Sequence, residues 1–292
     1  MIQISAWHPL VAAVYFLSVL LIAMFHADPY IAALALLGGV LCAVKLEGGR
    51  RFVRGLGWHV GLFVLVAVTN PLFSHKGVTP LFFLNGNPIT AEALQYGVYL
   101  GVMLLAVLYW FQCFNSVMSE DKLLYLLGRI APKLSLLVSS ALRFVPMLKA
   151  QAVRIRQAQT AMGLYHTDTW TDKLKAVARV YSALITWALE KAIDTGASMK
   201  ARGYGLPGRR CYSLYTFRGS DAFTAAMIVT ADAVLLMAMA SGEAFRFYPS
   251  VAAPLPEVPY VAALTAFAVL CLLPFILEVK EGLRWTYYRS KI

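Results

Sequence analysis

Six stretches of this chain are nearly free of charge: Leu10 to Phe25, Tyr30 to Val44, Gly57 to Thr69, Leu94 to Phe114, Ala222 to Ala240 and Pro259 to Leu277. A span of the bilayer needs roughly 20 mostly apolar residues, because each residue of helix rises only about 1.5 Å. The last three runs meet that length outright, and the first three reach it with their polar flanks. In lipid the backbone must satisfy its own hydrogen bonds, so such runs become helices. The sequence therefore predicts an all-α membrane protein of about six transmembrane helices. Only 14% of the 292 residues are charged, against about 25% for a soluble domain. The first two runs form a hairpin turned at His26-Ala27-Asp28-Pro29, since Asp-Pro favours a turn. The N-terminal run reads as a span rather than a secretory signal: no Lys or Arg precedes it, and no small-residue cleavage site follows.

The net charge of +11 is distributed by side of the membrane. With the N-terminus inside, residues 45–56 carry four cations (Lys45, Arg50, Arg51, Arg54), residues 118–221 carry sixteen, and the C-terminal tail carries four (Lys280, Arg284, Arg289, Lys291). The loops then placed outside hold only Lys76 and Arg246. Cationic loops stay in the cytoplasm, so both termini and the mid-chain segment are expected there. The lipid bilayer accounts for the basic surplus, and no nucleic-acid partner is implied. Cys42, Cys113, Cys211 and Cys271 lie in separate segments without a CxxC pair, which points to reduced thiols and to no metal site.

Residues 118–218 separate an N-terminal membrane region (1–117, about four spans) from a C-terminal one (219–292, about two spans and a basic tail). Ser119 opens a short amphipathic helix through Ile130. Pro132 starts a long helix reaching Ala161, apolar from Leu134 to Leu142 and amphipathic afterwards. Val145, Leu148, Ala152, Ile155, Gln159 and Met162 form its stripe, and Pro146 is placed to bend it. A second long helix runs from Thr171 to Lys200, with Tyr181, Ile185, Ala188, Ala192, Thr195 and Met199 as its stripe. Ala188, Ala192 and Gly196 recur every fourth residue, a small-residue spacing that lets helices cross closely. Glycine follows each helix, at Gly163 and Gly203.

Three segments here resemble one family. Ser140-Ala141-Leu142-Arg143-Phe144-Val145-Pro146, Ala158-Gln159-Thr160-Ala161-Met162-Gly163 and Lys200-Ala201-Arg202-Gly203-Tyr204-Gly205 are similar to the transmembrane T component of energy-coupling factor transporters, the cobalt-transport permease family. The likeness extends over most of the chain from His8-Pro9 onward. It implies a cytoplasmic pair of long crossing coupling helices, each ending in a short Ala-Arg-Gly-like motif that docks into a groove of an ABC-type ATPase. It implies as partners two such ATPases and a small substrate-binding membrane subunit, the S component, which would take up a vitamin or a transition-metal ion. The docking residues would be Ala201, Arg202 and Gly203 on one helix and Ala161, Met162 and Gly163 on the other, with Ala188, Ala192 and Gly196 at the helix crossing. An arginine at a helix C-terminus suits the local dipole, and its planar fork suits a carboxylate or carbonyl partner. The family usually carries arginine where this chain has Met162, so either that groove differs or a neighbour such as Arg156 substitutes.

Other functions have thinner support. A stand-alone secondary transporter or channel places ionisable groups in mid-membrane, and Asp232 is the one clear candidate, expected instead to bond within the bundle or face a partner. Asn70-Pro71 and Gln112 lie nearer span ends. An enzyme would need a catalytic constellation. His8, His26, His59, His75 and His166 are scattered, His166 and Asp168 share a loop, and HExxH, GxSxG and GxxxxGK[ST] motifs are all absent from the sequence. No cofactor is expected, and ATP hydrolysis would belong to partner subunits.

Overall fold

The computed structural model describes residues 7–74, 76–84, 87–165, 169–207, 215–240, 245–252 and 257–289. In chain order these form α1 (Pro9–Phe25), α2 (Pro29–Glu47), α3 (Gly49–Phe73), a hairpin of β1 (Pro80–Leu84) and β2 (Asn87–Thr90), α4 (Ala91–Val117), α5 (Glu120–Ile130), α6 (Pro132–Ala161), α7 (Trp170–Ala201), α8 (Gly219–Ala240) and α9 (Val258–Arg289). The chain divides into two compact units, 1–123 with 215–292 and 124–214, the boundary falling inside α5. Cys211, His166 and Asp168 lie outside the described residues.

In the first unit α2 packs against both α4 and α9, α3 lies along α4, and α8 and α1 complete the bundle. Its centre is aromatic. Tyr15, Phe16 and Trp110 are fully buried and meet edge to face at 5.3 to 6.1 Å, the preferred geometry for aromatic quadrupoles. Their polar atoms are satisfied by backbone carbonyls of neighbouring helices. Tyr15 donates to Leu270 O and Trp110 Nε1 to Ala35 O, each at 2.8 Å. Close approach is set by small residues: a Cβ built on Gly38 would lie 2.7 Å from Cys271 Cβ, so α2 and α9 touch backbone to side chain there.

The turn between α1 and α2 falls at the expected Asp-Pro. Asp28 is 1% exposed. One carboxylate oxygen accepts from the N–H groups of Tyr30 and Ile31, and the other accepts from the Tyr260 hydroxyl at 2.8 Å. The side chain thus caps α2 and ties it to α9. At the other end of α4, Lys122 folds back from α5 and donates to the carbonyl of Val117 at 2.9 Å. The cation meets the negative end of the α4 dipole. Lys122 is only 5% exposed, and this burial lowers its pKa.

Among the described residues six helices have the length and composition of a membrane span: α2, α3, α4, α6, α8 and α9. The set differs from expectation at two places. The first apolar run becomes α1, only 17 residues long and heavily buried within the bundle. α6, expected on the cytoplasmic side with Leu134 to Leu142 touching the membrane, has a stretch as apolar as a span, because Arg143 and Lys149 are its only charges between Leu134 and Ala152. None of its most apolar window is buried within this chain. The β1–β2 hairpin is a further addition. It pairs antiparallel, Pro80 with Thr90 and Phe83 with Pro88, and Asn85-Gly86 between the strands is a strong sequence signal for such a connection.

Candidate functional site

The candidate site lies in the second unit, on the hairpin of α6 and α7. Its helix starts follow local chemistry. Pro132 occupies the first turn of α6, where its missing N–H costs nothing. α7 begins one residue before the expected position because Thr169 is its cap, accepting from the Asp172 N–H at 3.3 Å. α6 ends where the sequence indicates, and α7 runs one residue further, to Ala201.

The two helices end alike. After Ala161, Met162 sits at the C-cap with φ −82° and ψ 3°, and Gly163 turns left-handed at φ 68°. After Ala201, Arg202 sits at the C-cap with φ −83° and ψ 11°, and Gly203 turns left-handed at φ 79°. Hydrogen bonds close the same motif twice. Gly163 and Leu164 donate to the carbonyls of Thr160 and Gln159. Gly203 and Tyr204 donate to those of Lys200 and Met199. This is the Schellman termination, in which glycine at the left-handed position lets the chain satisfy orphan carbonyls. Met162 and Arg202 therefore hold equivalent places, each exposed on the outermost turn of its helix.

The cations near the α6 end have other partners. The Arg156 guanidinium lies over the Tyr165 ring, 4.9 Å from its centroid. Arg179, from α7, donates to the carbonyl of Leu164 at 3.1 Å. Arg156, the neighbour that would substitute for the missing arginine if the groove itself did not differ, thus lies over an aromatic face at an exposed position. Arg202 and the adjacent Lys200 are exposed, and among the described residues no ion pair is formed by either.

Among the described residues of the two helices, full burial occurs only close to their turn. Gln159 on α6 and Ala176 on α7 are their buried residues. The α6 stripe is as expected in its middle, with Leu148, Ala152 and Ile155 half-buried. The α7 stripe holds in part: Ala188, Thr195 and Met199 are half-buried. Nearer the turn the inward positions are Ala176, Val180, Leu184 and Trp187, whereas Tyr181, Ile185, Leu189 and Ile193 are 56 to 73% exposed. The expected Tyr181 and Ile185 are displaced by one residue, about 100° around the helix. Ala188, Ala192 and Gly196 are not brought into a tight crossing with α6. Ala192 is exposed, Ala188 and Gly196 are half-buried, and a Cβ added at Gly196 would meet nothing within 4 Å.

Asp232, the carboxylate that would suit a secondary transporter, accepts a hydrogen bond from the Ser18 hydroxyl of α1. It bonds within the bundle, as one of the two expected alternatives had it.

Residues 3–213 match the family model of the cobalt transport protein CbiQ. Among curated relatives, the energy-coupling factor transporter transmembrane protein EcfT of Listeria innocua is 29% identical over 58% of this chain and 68% of its own length. The protein of that name from Thermotoga maritima is 24% identical over 68% of this chain and 74% of its own. That from Lacticaseibacillus paracasei is 24% identical over 78% and 90%. The match to the family model spans the bundle's first four helices and the whole α6–α7 hairpin, so this multi-pass membrane protein belongs to the cobalt transport protein family that includes the transmembrane components of energy-coupling factor transporters.

Proposed function

We infer that the chain is the coupling subunit of an energy-coupling factor importer. Segments 1–117 and 219–292 anchor it in the membrane, and 118–218 transmits motion from two cytoplasmic ATPases to a substrate-binding membrane subunit that takes up a vitamin or transition-metal ion. The observation that carries this reading is the pair of identical Schellman ends on α6 and α7, which present Met162 and Arg202 at the tips of a basic hairpin. A left-handed glycine just beyond each tip holds the cap residue outward and lets a partner's backbone approach. The exposed row Tyr181, Ile185, Leu189 and Ile193 on α7 is an apolar surface of the kind that marks an interaction site, and it is the place for the membrane subunit. Energy comes from the partners; this chain contributes geometry and carries out no chemistry. In this reading both termini and the hairpin are cytoplasmic, which the charge distribution supports.

The test is ATPase copurified per molecule of this chain. Arg202→Ala removes a guanidinium from a desolvated contact, a loss of ~2–5 kcal/mol. Retention should fall more than tenfold, since about 1.4 kcal/mol is already a factor of ten. Arg202→Lys should restore only part, because lysine lacks the planar fork. Full retention and uptake in Arg202→Ala would return Lys200–Gly205 to a solvated helix end.

A further inference from the structure

The β1–β2 ribbon joins the end of α3 to the start of α4, two helices with the composition of membrane spans, so it lies at one membrane surface. From Gly77 to Ala91 no residue is charged. Leu81, Phe82 and Phe83 are 57, 54 and 70% exposed. Phe82 pairs with Ile89 and Phe83 with Pro88. Successive strand residues point to opposite faces, so the ribbon carries an exposed phenyl ring on each side. In water a two-stranded ribbon is marginal by itself.

Its base is held by a polar knot. The Thr79 hydroxyl and N–H donate to one Glu92 carboxylate oxygen, at 2.8 and 3.4 Å. The Thr90 hydroxyl donates to the carbonyl of Lys76 at 2.7 Å and accepts from the Ala93 N–H at the start of α4. Thr90 and Glu92 are buried. Gly77 has φ 138° and leaves no room for a side chain, since an added Cβ would lie 2.5 Å from the Glu92 carboxylate. The ribbon therefore leaves α4 in a set direction.

These features select what covers it. A docked protein covers one face of a ribbon, and here both faces need cover. A partner that adds a strand needs edge donors, and Pro80 and Pro88 put a residue without an N–H in each strand. The hydrocarbon core is excluded, because both strands are edges whose unpaired backbone groups need water. The headgroup–acyl boundary of a bilayer wraps both faces and hydrates the edges. We propose that the ribbon is a lipid anchor: it lies in that boundary where α3 ends, with Phe82 and Phe83 lodged about 5–10 Å into it, and the Glu92 knot transfers this fixed depth to α3 and α4.

Fluorescence quenching in lipid vesicles tests this. Val78, Phe82 and Phe83 are each replaced by cysteine in a Cys211→Ser chain; all three positions are exposed, and Cys42, Cys113 and Cys271 are buried. The full chain is labelled with bimane and reconstituted in phosphatidylcholine vesicles with iodide on both sides. Iodide should quench the labels at Phe82→Cys and Phe83→Cys severalfold less than the label at Val78→Cys, which stands beside the polar knot. A nitroxide placed high on a lipid acyl chain should quench the first two labels more than a nitroxide at the chain end. Equal iodide quenching at the three positions would overturn the proposal. So would shielding of only one of the two phenylalanine positions, or shielding that arises only with partner subunits present, since either would assign the cover to a protein.

Discussion

Asp28 joins two helices, α2 and α9, through one carboxylate, and its removal has a cost that can be worked from the structure. Asp28→Ala deletes the N-cap of α2, worth about 1 kcal/mol and up to about 2. It also leaves the Tyr260 hydroxyl, now donating to Asp28 at 2.8 Å, without an acceptor in a site where Asp28 is 1% exposed. An unsatisfied buried donor costs about 1–3 kcal/mol. The loss should come to about 2–4 kcal/mol. Asp28→Asn keeps a good cap and an acceptor for Tyr260, so it should lose least. Tyr260→Phe removes one bond and leaves the cap, so it should fall between. The assay is reversible unfolding of the purified protein in detergent, followed by circular dichroism, for the three variants and the Asp28→Ala/Tyr260→Phe pair. The pair should lose less than the sum of its singles, with a coupling of about 1 kcal/mol or more. Equal losses in Asp28→Asn and Asp28→Ala would refute the capping argument, and additive losses would refute the link to α9.

Other expectations concern the hairpin, the topology and pH. Met162→Ala should reduce ATPase retention less than Arg202→Ala and without dependence on salt, since it loses only apolar contact; a salt-sensitive loss measured by copurification would contradict the apolar tip. Gln159 is buried near the turn and its Oε1 has no hydrogen-bond partner among the described residues, so Gln159→Leu should leave the melting temperature unchanged or raise it, and a clear fall would show that the oxygen is satisfied in the folded protein. Cysteine placed at Val78 should react with an impermeant thiol reagent on intact cells, whereas Thr171→Cys and Tyr288→Cys should react only after permeabilisation; the reverse pattern would invert the topology. Burial lowers the pKa of His26 below its usual 6.5, Asp28 opposing. The unfolded chain therefore binds the proton more readily, and stability should fall as pH drops through about 6.5 and below. His26→Gln should flatten that slope in detergent melts, and an unchanged slope would exclude His26 as its source.

What could be read from the sequence follows from where the physics is local. Charge-free runs must be helices in lipid, so α2, α4, α8 and α9 announce themselves. Asp-Pro and the glycines at 163 and 203 mark a turn and two helix ends because few other residues fit those backbone angles. The missed features are non-local. α6 carries an apolar first half and an amphipathic second half, so composition alone cannot place it in or beside the membrane. α7 has more apolar residues than one stripe can hold, Ala176, Val180 and Leu184 on one side and Tyr181, Ile185 and Leu189 next to it. Periodicity detects a helix there but cannot choose between adjacent stripes.

The same excess of apolar surface indicates how the hairpin is built to work. A helix pair that served only itself would bury its apolar residues between its own two members. Here Gln159 and Ala176 near the turn are the fully buried residues among those described, while Tyr181, Ile185, Leu189 and Ile193 stand exposed along α7 and no residue in the most apolar window of α6 is fully buried. Leaving that much surface unpaired in a single subunit favours association, because covering it is worth about 25 cal/mol for each Å² removed from water. Beyond the turn, the parts of the two helices towards Ala201 and Pro132 bury their residues only in part. Such a hairpin can change the angle between its members at little internal cost. Partners that grip the Met162 and Arg202 tips could therefore move the apolar face of α7 while breaking few contacts inside this chain. That is a mechanical requirement for a subunit that couples force in the cytoplasm to a partner in the membrane.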